Sequence, residues 1–334
     1  MRKLLVLMDT FMEDKSKEYA GAAYTKDDSD LRWDVVDNGT SRFGAKFKWD
    51  SMSANIEIRP YSGTYRQWWG AWNFGGGSLL VGHTWSPLYI NTAICGQCEA
   101  GGSGGQLGNW VGDLRQAQIR LTMGGLTVAL VEPGTAAAPL AAGTENDYTL
   151  PKLEATYALK LGSISLVPFL GWQSYDEVDL ATDQGKSIDG MVYGITARVP
   201  VGPGYVNAQV WMSTNDANWG NYYHTGFGGA YYDAASDSVK DEDGMGYTLV
   251  GGMMLSDTMK FEVGYGFNSY ELDAPGTWED ESSLMYAQLE IKIAKGFTVT
   301  PEFGVVDQDT QVRNGVATEE GDMTYYGAVW KIHF

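Results

Sequence analysis

The sequence predicts an all-β chain that closes into a 16-stranded antiparallel transmembrane β-barrel, and three observations carry the prediction. The stretch from Met323 to Phe334 alternates, with Thr324, Tyr326, Ala328, Trp330, Ile332 and Phe334 on one face and Lys331 and His333 on the other. That is the pattern of a strand with lipid on one side and a wet lumen on the other. Period-2 runs like it recur along the whole chain, and the connections between them alternate between short and long. Trp68, Trp69, Trp72, Trp85, Trp172, Trp211, Trp219 and Trp330, with paired tyrosines, fall near the ends of runs, where interfacial aromatics belong.

The first run, 3–13, sets Leu4, Val6, Met8, Thr10 and Met12 against Lys3, Asp9 and Glu13. Asp9 cuts the opening apolar stretch short and no cleavage site follows, so this segment reads as a barrel strand and not as an export signal. The next runs are 40–49, 54–62, 64–74 and 78–86, followed by 114–123, 126–132, 149–160 and 164–175. The remainder are 189–199, 205–215, 246–256, 259–272, 282–294, 297–307 and 323–334. An even number of strands returns both termini to one side and leaves no open edge in hydrocarbon.

Asp50–Ser53, Gly75–Gly77, Gly124–Gly125, Leu161–Ser163, Pro200–Gly204, Asp257–Thr258 and Lys295–Gly296 are short connections. Long ones cover 14–39, 87–113, 133–148, 176–188, 216–245, 273–281 and 308–322, with the short link Ser62–Thr64 breaking the pattern on their side. Short turns at one end and long loops at the other mark the periplasmic and extracellular ends of an outer-membrane barrel. A soluble sandwich also alternates; the aromatic girdle favours the barrel. The whole of 1–334 reads as a single domain.

Composition agrees. Hydrophobic residues make up 44% of the chain and aromatics 13%, but they are dispersed, and no run approaches the ~20 apolar residues of a membrane helix. The formal charge of −19 argues against a nucleic-acid partner, which needs clustered Lys and Arg. The acids gather in the connections, at Asp27–Asp30, Asp233–Asp243, Glu279–Glu281 and Glu319–Asp322. They read as a solvated charged rim beside outer-membrane lipid and lipopolysaccharide, with recruitment of divalent cations near that lipopolysaccharide surface as the alternative.

Alternation also assigns an inner face. It carries Arg42, Lys46, Arg59, Arg66, Arg120, Lys152, Lys160, Arg198, Lys260, Lys292 and Lys331 against Glu57, Glu154, Glu262, Glu290 and Glu302, which makes a basic lumen in an acidic protein. On 114–123, Gln116, Gln118 and Arg120 share one parity and Arg115 the other; a bulge would admit both.

No enzyme, metal site or cofactor is expected. His83, His224 and His333 are scattered, no carboxylate pair has a defined separation, and Asp237–Gly244 lacks the order of a calcium loop. Cys95-Gly-Gln-Cys98 has neither a thioredoxin-like context nor further zinc ligands. In an oxidising envelope it reads as a local disulfide.

The runs Asp37–Lys48, Tyr65–Trp72 and Gly77–Pro87 resemble the trimeric general diffusion porins of Gram-negative bacteria. Those proteins carry a Ser/Ala-Arg-Leu-Gly-Phe-Lys pattern on the second strand and spaced Arg and Gly on the fourth and fifth. The likeness covers about residues 1–130 and the last strand. Phe43 stands in place of Leu and His83 where Arg is common. The resemblance implies a homotrimer in the outer membrane that passes small hydrophilic solutes. It also implies a third loop, 87–113, folded inward to face a basic wall. It carries the wall role onto Arg42 and Arg66, then onto Lys46 and Arg115, with Arg120 and His83 beside them. Glu99 and Asp113 are the acids of the opposing loop, which lacks the family's acidic cluster. A substrate-selective channel, with aromatic residues stacking solutes and arginines gripping carboxylates, and a surface adhesin or scaffold are the alternatives.

Overall fold

The protein is described from a computed structural model that covers residues 2–19, 27–35, 41–60, 62–90, 92, 107–110, 115–134, 144–181, 184–220, 226–227, 229–233 and 237–334. Sixteen antiparallel strands follow one another around a closed barrel. They begin with β1 (Arg2–Lys15), β2 (Asp28–Val35, resumed as Arg42–Trp49), β3 (Met52–Ile58), β4 (Tyr65–Asn73) and β5 (Gly77–Trp85). Next come β6 (Arg115–Met123), β7 (Leu126–Val131), β8 (Thr144–Asp147, Lys152–Tyr157 and Leu159–Leu161), β9 (Ile164–Asp179) and β10 (Gln184–Val201). The circuit ends with β11 (Gly204–Thr214), β12 (Glu242–Ser256), β13 (Met259–Leu272), β14 (Glu279–Ala294), β15 (Phe297–Gln308) and β16 (Asp322–His333). β16 pairs back onto β1 from Leu5↔His333 to Lys15↔Met323, so no strand edge is left without a partner in hydrocarbon.

Every run expected from alternation is a strand, and several extend beyond their expected ends on the long-loop side. β9 and β10 stay paired out to Asp179↔Gln184, and residues 28–35, expected as loop, pair with β1 from Met8↔Val35 to Lys15↔Asp28. The hydrophobic pattern stops at the membrane surface, but backbone pairing needs no lipid and continues into water. Among the described residues of the long connections lie two hairpins, Tyr231–Asp233 with Ser238–Lys240 and Thr310–Arg313 with Val316–Glu319, and one short helix, α1 (Asp216–Trp219). At the other end the turns are tight; Gly124, with φ +57°, supplies the left-handed residue that the turn from β6 to β7 requires.

The distribution of polarity is the reverse of a soluble sandwich. Leu121, Leu170, Leu249, Met285, Phe303 and Trp330 are exposed, whereas Asn55, Gln118, Glu154, Gln209, Thr248 and Gln288 are buried. With apolar side chains turned outward and polar ones inward along the same strands, the outer face is solvated by lipid. No described helix is long and apolar enough to cross a membrane; the strands do the crossing.

The tryptophans divide between the two faces. Trp68, Trp72 and Trp330 are exposed on the outer wall, joined by Trp33 and Trp49, but Trp211 and Trp219 are fully buried inside. Trp69 turns inward as well, its indole N–H donating to Gln67 Oε1 at 3.0 Å. Part of the expected girdle is therefore interior packing. Leu88, Trp110, Phe169, Val192, Trp211, Trp219 and Tyr270 form one apolar cluster, and a second joins Leu7, Phe11, Leu107, Val250, Tyr286 and Tyr325. Across much of its circumference the lumen is filled by side chains.

Candidate pore constriction

The third long loop leaves β5 at Trp85 and re-enters at β6. Its described residues, 86–90, 92 and 107–110, lie inside the barrel. At its start Ser86 Oγ donates to Glu154 Oε2 of β8 at 2.6 Å, and Leu88 N donates to Ser86 Oγ at 3.0 Å. Across the lumen Gln209 Nε2 of β11 donates to Ile90 O at 2.8 Å, Trp211 Nε1 to Gly108 O at 3.0 Å, and Gly108 N to Asn268 Oδ1 of β13 at 2.8 Å. The Trp110 amide also donates to Gln209 Oε1. Contact is made through backbone. A Cβ on Gly108 would lie 2.1 Å from Tyr247 O, and one on Gly266 would overlap Leu107 O, so two glycines let loop and wall touch.

The facing wall, β2 to β6, carries arginines. Arg42 and Arg66 place their Nε atoms 3.7 and 3.8 Å from Glu57 Oε2, and Gln67 Nε2 donates to the same oxygen at 2.9 Å. A register shift between Glu57 and Ile58 marks a bulge in the β3–β4 pairing, which turns both Arg66 and Gln67 inward. Arg66 is 1% exposed. Its Nε and Nη1, with Arg59 Nε and Arg115 Nη1, are buried without a hydrogen-bond partner. Such donors are costly to leave unmade, which makes this corner ready to accept an anionic or carbonyl oxygen.

Aromatic rings frame the cluster. Trp85 stacks on Tyr89 with centroids 4.1 Å apart, and the Arg115 guanidinium sits 4.4 Å over the Trp85 ring while that of Arg66 approaches it at 6.0 Å. Arg115 thus joins the cluster through Trp85. The β5–β6 pairing is regular from Gly77↔Met123 to Trp85↔Arg115, so the bulge that admits an extra inward residue lies in β4 and not in β6, where the polarity pattern leaves room for one.

Other expected site residues are placed differently. Lys46 faces the lumen on β2, opposite Asn55, nearer the short-turn end than Arg42. Arg120 faces inward but is tied to the wall, its Nε donating to Gln118 Oε1 at 2.9 Å and its Nη2 to Trp85 O. His83 leaves the set: paired across from Trp68, its ring meets Tyr65 edge-on at 5.4 Å on the lipid face. Strand alternation forces this, because Gly82 and Thr84 on either side point inward. Cys95, Cys98, Glu99 and Asp113 lie outside the described residues, as does His224.

Inner-face charge is segregated. Asp9, Glu13, Glu177, Glu242 and Asp280 are also buried on the inner side, which removes most of the overall basic excess expected from alternation. Arg32 offsets two of them, with Nε 2.5 Å from Asp9 Oδ2 and Nη1 3.0 Å from Glu13 Oε1. On the wall away from the arginines Glu262 accepts from Tyr205, from Tyr286 at 2.9 Å and from Gln288 Nε2 at 2.7 Å. Among described residues no group of acids, histidines or cysteines is arranged to hold a metal ion.

Sequence reasoning placed Arg59 and Glu57 inward by parity without assigning them to the constriction; nothing in the alternation signals that the β4 bulge gathers them around Arg66. Arg32 lies on a segment expected as loop, although Leu31, Trp33 and Val35 alternate around it.

A closed 16-stranded barrel with a lipid-exposed apolar outside and loop residues packed against the inside of its wall defines a transmembrane β-barrel of the porin fold. Solved structures agree. The outer membrane channel DcaP of Acinetobacter baumannii superposes with a TM-score of 0.73 at 16% identity, covering 100% of this chain and 96% of that one. An anion-selective porin from Comamonas acidovorans gives 0.63 at 11%, covering 100% and 99%. The trimer form of OmpT, an outer membrane protein of Vibrio cholerae, gives 0.58 at 13%, again covering 100% and 99%. At these identities the likeness is one of fold. No family model and no curated protein matches the sequence.

Proposed function

We propose that this chain is an outer-membrane porin of a Gram-negative bacterium, a homotrimer through which small hydrophilic solutes and ions diffuse passively, with weak to moderate preference for anions. The observation that carries the reading is the corner of Arg42, Arg59, Arg66 and Arg115, with Glu57 as its carboxylate, on the inner wall of β2 to β6. A narrow passage lined by fixed charge focuses the field far more than a charged rim in bulk water. The rim acids are screened within ~8 Å at physiological salt.

A substrate-selective channel is the second reading, favoured by the Trp85–Tyr89 stack beside unpaired guanidinium donors, a surface suited to a planar carboxylate. Single-channel conductance in planar bilayers with a solute panel separates the two. Ohmic current without block supports general diffusion; block at micromolar solute supports selectivity. A folded barrel that carries no current overturns both.

A further inference from the structure

A second connection also folds into the lumen. After β11 the chain turns at Asn215, whose φ of +59° is left-handed, and α1 follows with Asp216, Asn218 and Trp219 all buried. Three wall strands hold it. Lys152 Nζ of β8 donates to Trp219 O at 2.5 Å, Gln173 Nε2 of β9 donates to Asn218 O at 3.0 Å, and Asn215 Nδ2 donates to Asp189 O of β10 at 2.8 Å. Asn218 Nδ2 further donates to Tyr175 OH at 2.8 Å.

The Trp219 indole rests where the wall lacks side chains. A Cβ on inward-facing Gly171 would lie 2.8 Å from two atoms of the indole and 2.7 Å from Leu88 Cδ1; one on Gly190 would lie 3.8 Å from the indole. Gly171 therefore seats Trp219 and the foot of the third loop together. Leu88, Trp110 and Trp219 share one fully buried cluster, so one loop cannot leave the wall without exposing the other.

We propose that Trp219 is a positioning residue for the constriction: it buttresses the third loop against β9 and β10, and so sets solute cutoff and current noise without belonging to the arginine corner. This rests on the channel reading above. The neighbouring connections explain the specificity of the arrangement, since the apolar contact couples the loops while the polar bonds to Lys152 and Gln173 fix α1 in place.

The test compares the unmodified protein with Trp219→Ala, Trp219→Phe and Gly171→Ala in planar bilayers and in liposome swelling with sugars of increasing size. Losing a buried indole raises the population of a detached loop by at least about tenfold. Trp219→Ala should therefore show frequent current substates and admit larger sugars, with its reversal potential in a salt gradient unchanged because the arginines remain. Trp219→Phe should recover most of the quiet current. Gly171→Ala, which keeps the indole but fills its seat, should be noisy like Trp219→Ala and reports on the same contact if the latter does not fold. Folded Trp219→Ala and Gly171→Ala barrels with unmodified noise and cutoff would overturn the buttress alone; absence of current from the unmodified protein would instead overturn the channel.

Discussion

Replacing Arg42 and Arg66 together by alanine should shift the pore from anion preference toward cations. A unit charge about 6 Å from a permeating ion is worth about 0.7 kcal/mol in bulk water and about 3 kcal/mol at an effective dielectric of ~20. We take a value toward the lower end of this range, about 1 kcal/mol per guanidinium. Each removal then changes local anion partition by about fivefold, and the pair by about thirtyfold at most. Arg59 and Arg115 remain, and Glu57 loses the two arginines that approach it at 3.7 and 3.8 Å, so the released carboxylate adds to the shift. The assay is the reversal potential across a tenfold salt gradient, read for the unmodified protein, each single variant and the pair. Cation preference in the unmodified protein, or a double variant with an unmoved reversal potential, would refute the reasoning and give control of permeation to the rim acids.

Arg32→Ala strips Asp9, which is 1% exposed, of its guanidinium; a broken buried pair costs about 3–5 kcal/mol, so the temperature at which the folded band is lost in heat-modifiability gels should fall clearly, and an unchanged temperature would contradict the pairing. Gly266→Ala drives a methyl into Leu107 O and should unseat the third loop, with raised current noise as the readout and a quiet channel as the contrary result. Cys95 and Cys98 are expected to be disulfide-bonded in protein taken from the envelope without reductant; two titratable thiols under denaturing, non-reducing conditions would reject this. The exposed aromatics Phe43, Trp68 and Trp72 lie on strands β2 to β4 and are expected to form the subunit contact with β1 and β5, so native mass measurement in mild detergent should give trimers and not monomers.

The strands were legible in the sequence because lipid on one side and water or polar packing on the other force a period of two. Inward assignments such as Glu57, Glu154, Glu262 and Glu302 follow from that period alone, and all are buried on the inner face. His83 could have been placed by the same rule, since its neighbours Gly82 and Thr84 point inward; a family pattern that sets an arginine near that position overrode the parity. The arginine corner was half legible. Arg42 and Arg66 came from the resemblance, but the bulge between Glu57 and Ile58 that brings Arg66 and Gln67 to the same face leaves no mark in the hydrophobic pattern.

The interior tryptophans show where a period-2 reading must fail. Alternation predicts which face a residue occupies, not what the face meets, and it equates an inward side chain with a wetted one. Trp211 obeys the parity of β11 and points inward, yet it is dry because loop backbone covers it, its indole N–H donating to Gly108 O at 3.0 Å. Trp219 lies on no barrel strand at all, so no period could place it. What determines its position is an absence of side chains at Gly171 and Gly190, two residues that break no pattern in their own strands and acquire meaning only when a later connection returns to fill them. In a barrel with a single inward loop those glycines would leave a void in the wall, and packing physics disfavours such voids. Their presence opposite Trp219 therefore ties the composition of β9 and β10 to the path of the chain after β11, and makes the filled half of the lumen as much a product of the sequence as the sixteen strands around it.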